Sequence, residues 1–200
     1  MLREELVAAI NKAGTSDPWF GGSNVGGYCI QQDPAEFAEL VLALQGKPIK
    51  SYLQVGSAAG GSERFLCEQL GIRSLTIIDR GDHIQFPIWQ NQNKLALQNL
   101  GVEVTEHIGD SHDEEAERFL EYRGPFDLVG IDGDHSPAGV RMDWELVAPC
   151  LRPGSVVWLH DCCVKRANDY GPWEVSEKLR STHKMLLDTQ VFGIRVFEIA

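Results

Sequence analysis

Residues 52–62, Tyr-Leu-Gln-Val-Gly-Ser-Ala-Ala-Gly-Gly-Ser, run from an apolar segment directly into a glycine-rich turn. Residues 62–70 behind the turn have helical spacing, so we predict a strand, a tight turn and a helix here. Glycines in such a turn let the backbone approach a ligand, and the first helical turn offers free N–H donors. The turn by itself matches known nucleotide-binding motifs imperfectly, and a purely structural connection explains it equally well.

The alternation of strand and helix continues to the end of the chain. The predicted strands cover 51–55, 74–79, 102–107, 126–131, 155–160, 184–189 and 192–199, and the predicted helices between them cover 62–70, 89–99, 113–122, 138–148 and about 173–181. The strands are rich in Val, Ile and Leu, which is typical of a parallel sheet covered on both faces. Only Gln190 and Val191 separate the last two strands, so we expect these to pair antiparallel. We predict an α/β fold: a Rossmann-like, doubly wound, seven-stranded sheet, mostly parallel with an antiparallel C-terminal strand.

Length and composition favour one domain. The chain has 200 residues, of which 43% are hydrophobic and 24% are charged, as is ordinary for a globular domain. We expect residues 1–200 to form a single domain with its core in 34–200, and 1–33 to supply a helix and a glycine-rich arm. The arm, 15–32, is long for a structureless loop. It is either a lid over a substrate, or a structural arm or subunit contact, and its aromatic residues are Trp19, Phe20 and Tyr28.

Charge and composition make several classes of partner and location unfavourable. The formal net charge is −11, which argues against nucleic acid and anionic membranes because phosphate neutralisation needs clustered Lys and Arg. No apolar run approaches the roughly 20 residues that span a bilayer, and acids stand at positions 4 and 5, where a signal peptide would be basic. Five cysteines without a C-x-x-C pair favour a reducing cytoplasm. A homo-oligomer is left open.

Polar residues follow each of the first five predicted strands, at the edge where an open α/β sheet binds ligands. Asp79 follows the second strand, where it could accept hydrogen bonds from the ribose hydroxyls of a nucleoside or stand as a solvated strand-end acid. Asp110 and Ser111 follow the third strand. Asp132 follows the fourth and Asp161 the fifth, so adjacent strands would bring these two carboxylates together.

Two converging carboxylates need a cation or a proton between them, since like charges disfavour mutual ionisation. Their oxygens suit Mg²⁺, Mn²⁺ or Ca²⁺. His135, three residues after Asp132, is a candidate general base. The alternative is that Asp134 or Asp161 caps a helix or turn and that His160 is a hydrogen-bonded core residue.

In this combination the sequence resembles the class I S-adenosylmethionine-dependent methyltransferases, specifically the small-molecule O-methyltransferases of the sugar, macrolide and catechol types. The resemblance covers about residues 34–199. It rests on residues 52–62, on Ile77-Ile78-Asp79, on Phe126-Asp127-Leu128-Val129-Gly130-Ile131-Asp132-Gly133-Asp134-His135, and on Leu151-Arg152-Pro153-Gly154-Ser155 running into His160-Asp161.

The resemblance implies a role for each matching position. The turn would approach the methionine part of the donor, with Ser62 near its carboxylate, Asp79 on the ribose, and Asp110, Ser111 and His112 near the adenine. The implied cofactor-binding residues are Gly56, Ser57, Ala58, Gly60, Ser62, Asp79, Asp110, Ser111, His112 and Asp132. The implied metal ligands are Asp132, Asp161 and His160. The implied catalytic residues are His135 and Asp132.

The sequence also departs from the family pattern. Ala58 stands where a glycine or an aromatic residue is usual, and Gln54 where the catechol type has an acid. Cys162 stands where the catechol type has a metal-binding Asn. His160 stands where the sugar branch has an acid. These departures leave the third metal ligand, and metal dependence with it, open.

The expected function is therefore O-methylation of a small diol, catechol or sugar-like acceptor, assisted by a divalent metal such as Mg²⁺, with S-adenosylmethionine as donor. One alternative is a nicotinamide-dependent (NAD(P)) oxidoreductase, which shares the strand–glycine–helix–acid pattern. However, no tyrosine has a lysine four residues later, as short-chain dehydrogenases do. Another alternative is a non-catalytic nucleoside-binding domain. Trp89 and Trp173 are either acceptor-pocket residues or, as lone aromatics more often are, core.

Overall fold

The computed structural model describes residues 2–15, 27–163 and 170–200. Its strands are β1 Ser51–Val55, β2 Ser74–Asp79, β3 Glu103–Ile108, β4 Leu128–Ile131, β5 Val156–Leu159, β6 Lys184–Asp188 and β7 Arg195–Glu198. Its α-helices are α1 Arg3–Ala13, α2 Pro34–Leu44, α3 Gly61–Leu70, α4 Phe86–Ile88, α5 Lys94–Asn99, α6 Glu114–Leu120, α7 Pro137–Val147 and α8 Tyr170–Thr182. A π-helical turn, Trp89–Asn93, joins α4 to α5, and a 3₁₀ turn, Ala148–Cys150, follows α7.

The strands form one seven-stranded sheet in the order β3-β2-β1-β4-β5-β7-β6. Strands β1 to β5 run parallel, and β7 lies antiparallel between β5 and β6. The predicted fold class is therefore confirmed. The strand order reverses between β1 and β4, so the crevice that such sheets use for ligands opens at the carboxyl ends of these two strands.

The connection between the last two strands is longer than predicted. Strands β6 and β7 pair antiparallel as expected, but residues 189–194 join them instead of a two-residue turn. The reason is a partner far away in sequence: the buried carboxylate of Glu36 accepts the backbone N–H groups of Val191 (2.8 Å) and Phe192 (2.9 Å). These N–H groups are thereby unavailable to the strand ladder.

Apolar side chains bury both faces of the sheet. One layer contains Leu6, Phe37 and Leu66 from helices α1 to α3, and the other contains Val140 and Leu179 from α7 and α8. This two-sided burial explains the nearly continuous apolar strands of the sequence. No helix in the described ranges combines the length and the apolarity needed to cross a membrane.

Trp89 belongs to the core. Its side chain is fully buried, and its indole N–H donates to Glu106 Oε2 at 3.1 Å. The ring of Trp173 lies beside that of Tyr170, with the ring centroids 5.1 Å apart. Neither tryptophan lines the cavity described below.

Candidate functional site

A cavity of about 870 Å³ opens at the carboxyl ends of the parallel strands. Its wall is built by the segments that follow β1 to β5 and by the end of the arm before α2. The predicted site residues that line it are Gly56, Ser57, Ala58, Ser62, Asp79, Asp110, Ser111, His112, Asp132, His135, His160 and Asp161. The fold therefore gathers residues from five separate loops, and Gly60 is the one member of the predicted set outside this lining.

The turn after β1 requires glycine at two positions for different reasons. Gly56 has φ +77°, and a Cβ there would lie 2.2 Å from the carbonyl oxygen of Asp132, so the ends of β1 and β4 approach closely. Gly60 has φ +71°, and a Cβ there would lie 2.2 Å from the ring of Trp89. Gly60 thus allows the turn to pack closely against the buried ring of Trp89. Ala58, the departure noted in the sequence, adopts φ +49° without being glycine.

Asp79 orders this turn. Its Oδ2 accepts the backbone N–H groups of Ser57 (2.7 Å) and Ala58 (2.9 Å), and its Oδ1 accepts that of Gly81 (2.7 Å). An ionised carboxylate offers about four acceptor positions, so three are occupied within the chain. One acceptor position of the carboxylate therefore remains for a ligand hydroxyl. From the sequence we expected Asp79 to accept both hydroxyls of a ribose.

Two carboxylates and two histidines meet after β4 and β5. His160 Nδ1 lies 3.3 Å from both Asp132 Oδ1 and Asp161 Oδ2. His135 Nε2 lies 3.3 Å from Asp132 Oδ1, and His135 Nδ1 lies 3.6 Å from Asp161 Oδ2. Asp161 is held at φ +54°, a conformation that Asp tolerates better than most residues. The predicted convergence of the two strand-end acids is thus present.

The two carboxylates of this group favour positive charge between them. Burial alone would raise the pKa of Asp132, but the positive charges of His160 and His135 and their hydrogen bonds hold it well below its usual value. Burial alone would lower the pKa of His160, yet Asp132 and Asp161 raise it to about 10. Ligand atoms of Asp132, His135 and Asp161 all lie within 4.8 Å of one another. Two carboxylates and an imidazole at this spacing are a donor set that a divalent cation accepts.

His160 and His135 differ in their access to the cavity. The side chain of His160 is 8% exposed and that of His135 is 29% exposed. No described residue hydrogen-bonds to His160 Nε2, which is buried. Asp134 accepts the backbone N–H (2.8 Å) and hydroxyl (3.0 Å) of Ser136, the residue that caps α7, so it holds the start of that helix.

Sequence reasoning missed Gln32. This buried side chain donates from Nε2 to Asp132 Oδ2 at 3.0 Å and accepts a hydrogen bond from the hydroxyl of Ser62. It therefore connects the start of α3 with the carboxylate at the end of β4. A neutral amide directly before the helix-capping Asp33 carries no local signal of such a role.

Sequence reasoning also missed Asp143. Its fully buried carboxylate accepts the hydroxyl of Ser111 at 2.6 Å and lies 3.2 Å from His112 Nε2. Helix α7 thus holds the loop after β3, where two predicted adenine-binding residues lie. A signal was available here, because Asp143 shares the buried face of α7 with Val140 and Val147 at helical spacing.

The described part of the arm packs on α3. Tyr28 donates its hydroxyl to Glu68 at 2.7 Å, and the guanidinium of Arg64 lies 3.7 Å from its ring centroid. Tyr28 therefore lies outside the cavity lining, while Cys29, Gln31 and Gln32, which follow it, contribute to that lining. Trp19 and Phe20 of the predicted lid lie outside the described residues.

Comparison with known proteins decides the family. Residues 53–162, more than half of the chain, match a family model described as a methyltransferase domain. The chain belongs to this methyltransferase family. No curated protein matches the sequence. The predicted enzyme class, an S-adenosylmethionine-dependent methyltransferase, is confirmed, and nothing in the comparisons supports an oxidoreductase.

Solved structures share the fold at low identity. An O-methyltransferase from Bacillus cereus, solved in complex with SAH, is 18% identical over 98% of this chain and 90% of its own, with a TM-score of 0.65. TomG from Streptomyces achromogenes, an O-methyltransferase in complex with SAM, is 19% identical over 96% and 89%, with a TM-score of 0.67. MycE, from the mycinamycin biosynthetic pathway and in complex with Mg, SAH and mycinamycin VI, is 17% identical over 78% and 46%, with a TM-score of 0.54.

Proposed function

We propose that this methyltransferase transfers the methyl group of S-adenosylmethionine to a hydroxyl oxygen of a small acceptor, with a divalent cation bound at Asp132 and Asp161. The convergence of these two carboxylates with two histidines at one end of the cavity carries the proposal. A catechol, vicinal diol or sugar suits such a site, because two neighbouring oxygens can bind one cation. The complex of MycE with Mg, SAH and mycinamycin VI, although only a fold relative, is consistent with this assignment.

The other end of the cavity suits the donor. The residues proposed to bind it are Gly56, Ser57, Ala58, Ser62, Asp79, Asp110, Ser111 and His112, with Gly60 shaping the turn. A volume of about 870 Å³ lies within the usual range for ligand sites and leaves room for an acceptor beside the donor. Asp79 has one remaining position for a ribose hydroxyl, and the start of α3 offers N–H groups to a carboxylate. The donor supplies an electrophilic methyl group on its sulfonium sulfur.

Either histidine could complete the cation site by distance, since His135 shares the ligand cluster with both carboxylates and His160 Nδ1 lies 3.3 Å from each of them. Exposure separates the two: we assign Asp132, Asp161 and the buried His160 as the protein ligands and leave the more exposed His135 for the proton. A cation held there would lower the pKa of a bound hydroxyl and orient its oxygen.

His135 is the proposed general base. Of the two histidines it is the more exposed to the cavity, and its hydrogen-bond distance to Asp132 orients the ring. A base needs such access, since it must come within hydrogen-bond reach of the proton that it removes. Transfer of the acceptor proton to His135 leaves the oxygen to displace the donor sulfur in line.

Methyl transfer from labelled S-adenosylmethionine to a panel of catechols, diols and sugars tests the proposal. We expect a methylated product with Mg²⁺ or Mn²⁺ and its loss in excess EDTA. Asp161→Asn keeps a residue that tolerates the same backbone conformation and should reduce turnover by about 100-fold through the loss of a charged ligand. Asp113→Asn, an exposed acid outside the cavity, is the matched control. Transfer that is unaffected by EDTA and by Asp161→Asn would contradict the metal assignment.

A further inference from the structure

Glu63 is a buried acid that has no cationic partner among the residues that the structure describes. It lies in the first turn of α3, is 2% exposed and belongs to the lining of the cavity. Its Oε2 is buried and receives no hydrogen bond from any described residue. An unpaired buried carboxyl oxygen is costly, so its retention calls for an explanation.

The surroundings of Glu63 make that cost larger. Burial raises the pKa of Glu63 well above its usual value; a hydrogen bond from its own backbone N–H opposes this, and the charges of Asp132 and Asp79 add to it. No described cation contributes.

The buried acid Glu36, by contrast, is paired with the backbone N–H groups of residues 191–193. Asp143 also has an unpaired oxygen, Oδ2, but its Oδ1 accepts the hydroxyl of Ser111 and lies near His112. Within the described part of the chain, the charge of an ionised Glu63 is therefore uncompensated, and a cationic ligand group in the cavity would compensate it.

The proposed donor carries such a partner. The methionine part of S-adenosylmethionine bears a carboxylate and an ammonium group on the same carbon atom. Ser62 and the N–H groups at the start of α3 suit the carboxylate. Glu63 follows Ser62 in the chain, lines the same cavity and lies near enough to Asp79 and Asp132 to interact with their charges. The carboxylate of the methionine part would thus bind near Ser62, and its ammonium group near the carboxyl group of the adjacent Glu63.

We propose that Glu63 binds the α-ammonium group of the donor's methionine part and so selects ligands with an intact amino-acid group. This proposal rests on the proposed function, since it assumes that the cavity binds S-adenosylmethionine. It adds a residue that the motifs in the sequence did not single out.

Calorimetric titration of the full chain with two ligands in EDTA tests this role. S-adenosylhomocysteine carries the amino-acid group, and 5′-methylthioadenosine lacks it. We expect Glu63→Gln, which preserves the side-chain shape, to weaken S-adenosylhomocysteine binding at least about tenfold, with 5′-methylthioadenosine binding changed less than about threefold. Glu68→Gln is the control, because Glu68 lies on the same helix outside the cavity lining and should leave both affinities unchanged.

Three outcomes would overturn the role of Glu63: unchanged affinity for S-adenosylhomocysteine in Glu63→Gln, equal weakening of both ligands, or equal weakening in Glu68→Gln. A second measurement needs no variant. The analogue of S-adenosylhomocysteine that lacks only the α-amino group should bind the wild-type protein at least about tenfold more weakly, and equal affinity would refute the proposal. If wild-type protein binds neither ligand, the proposed function itself fails, which is a distinguishable result.

Discussion

At the residue scale the site is centred on Asp132. Its carboxylate lies within hydrogen-bond distance of Gln32, His135 and His160, which come from the arm, the loop after β4 and the end of β5. A residue with this many partners holds its side chain in one orientation. The two histidines therefore have fixed positions relative to Asp132, and their roles can be separated by substitution.

We predict that replacing the two histidines changes two different kinetic quantities. His135→Gln should lower kcat by about 100-fold or more, the usual contribution of a general base, with little change in the Mg²⁺ concentration needed for half-maximal activity. His160→Gln should raise that Mg²⁺ concentration by about tenfold or more, as expected for the loss of a ligand. Magnesium titrations of methyl transfer by both variants measure this. The reverse pattern would make His135 the ligand and leave the base unassigned.

At the element scale the two ends of α3 provide a matched pair of glycines. Gly60 precedes the helix and Gly71 follows it, with φ +71° and +68°, so alanine is strained at both by about 1–2 kcal/mol. Their surroundings differ: a Cβ at position 60 would strike the ring of Trp89, whereas nothing lies within 4 Å of one at position 71.

We therefore predict that Gly60→Ala lowers the free energy of unfolding more than Gly71→Ala does. The difference should be about 1–3 kcal/mol, the usual cost of overpacking a core. Urea denaturation of the two variants beside the wild type measures it. Equal destabilisation by Gly60→Ala and Gly71→Ala would contradict this prediction. It would show that the turn after β1 can shift to accommodate the added methyl group.

The elements also show how far sequence reasoning reaches. Strands β1, β2, β4 and β5 were predictable because each is a short, largely apolar and buried run with glycine or an acid at its end or within two residues after it, so local pattern and buried position agree. The connection between β6 and β7 was not, because its backbone is bound by Glu36, more than 150 positions earlier. The same limit applies to Gln32, whose partner Asp132 is 100 positions away. A side chain whose role depends on such a distant contact leaves no periodicity in its own neighbourhood.

At the scale of the whole molecule, the sheet brings the candidate site together. Reversal of strand order between β1 and β4 places the glycine turn and Asp132 side by side, and the parallel pairing of β4 with β5 adds Asp161. The convergence of the two acids was predictable because parallel strands end at the same edge. The partners that orient them, and the buried acid Glu63, became visible only in three dimensions.

Ligand binding distinguishes a cavity for the sulfonium donor of a methyltransferase, as proposed here, from a cavity for a nicotinamide. Calorimetric titration of the wild-type protein with S-adenosylmethionine, S-adenosylhomocysteine and NADH, each with and without Mg²⁺, tests this proposal most directly. We expect affinity on the order of micromolar, about −8 kcal/mol, for the first two ligands and no binding of NADH. Binding of NADH in their place would contradict the account, and binding of none would leave a domain with the methyltransferase fold that has lost its donor.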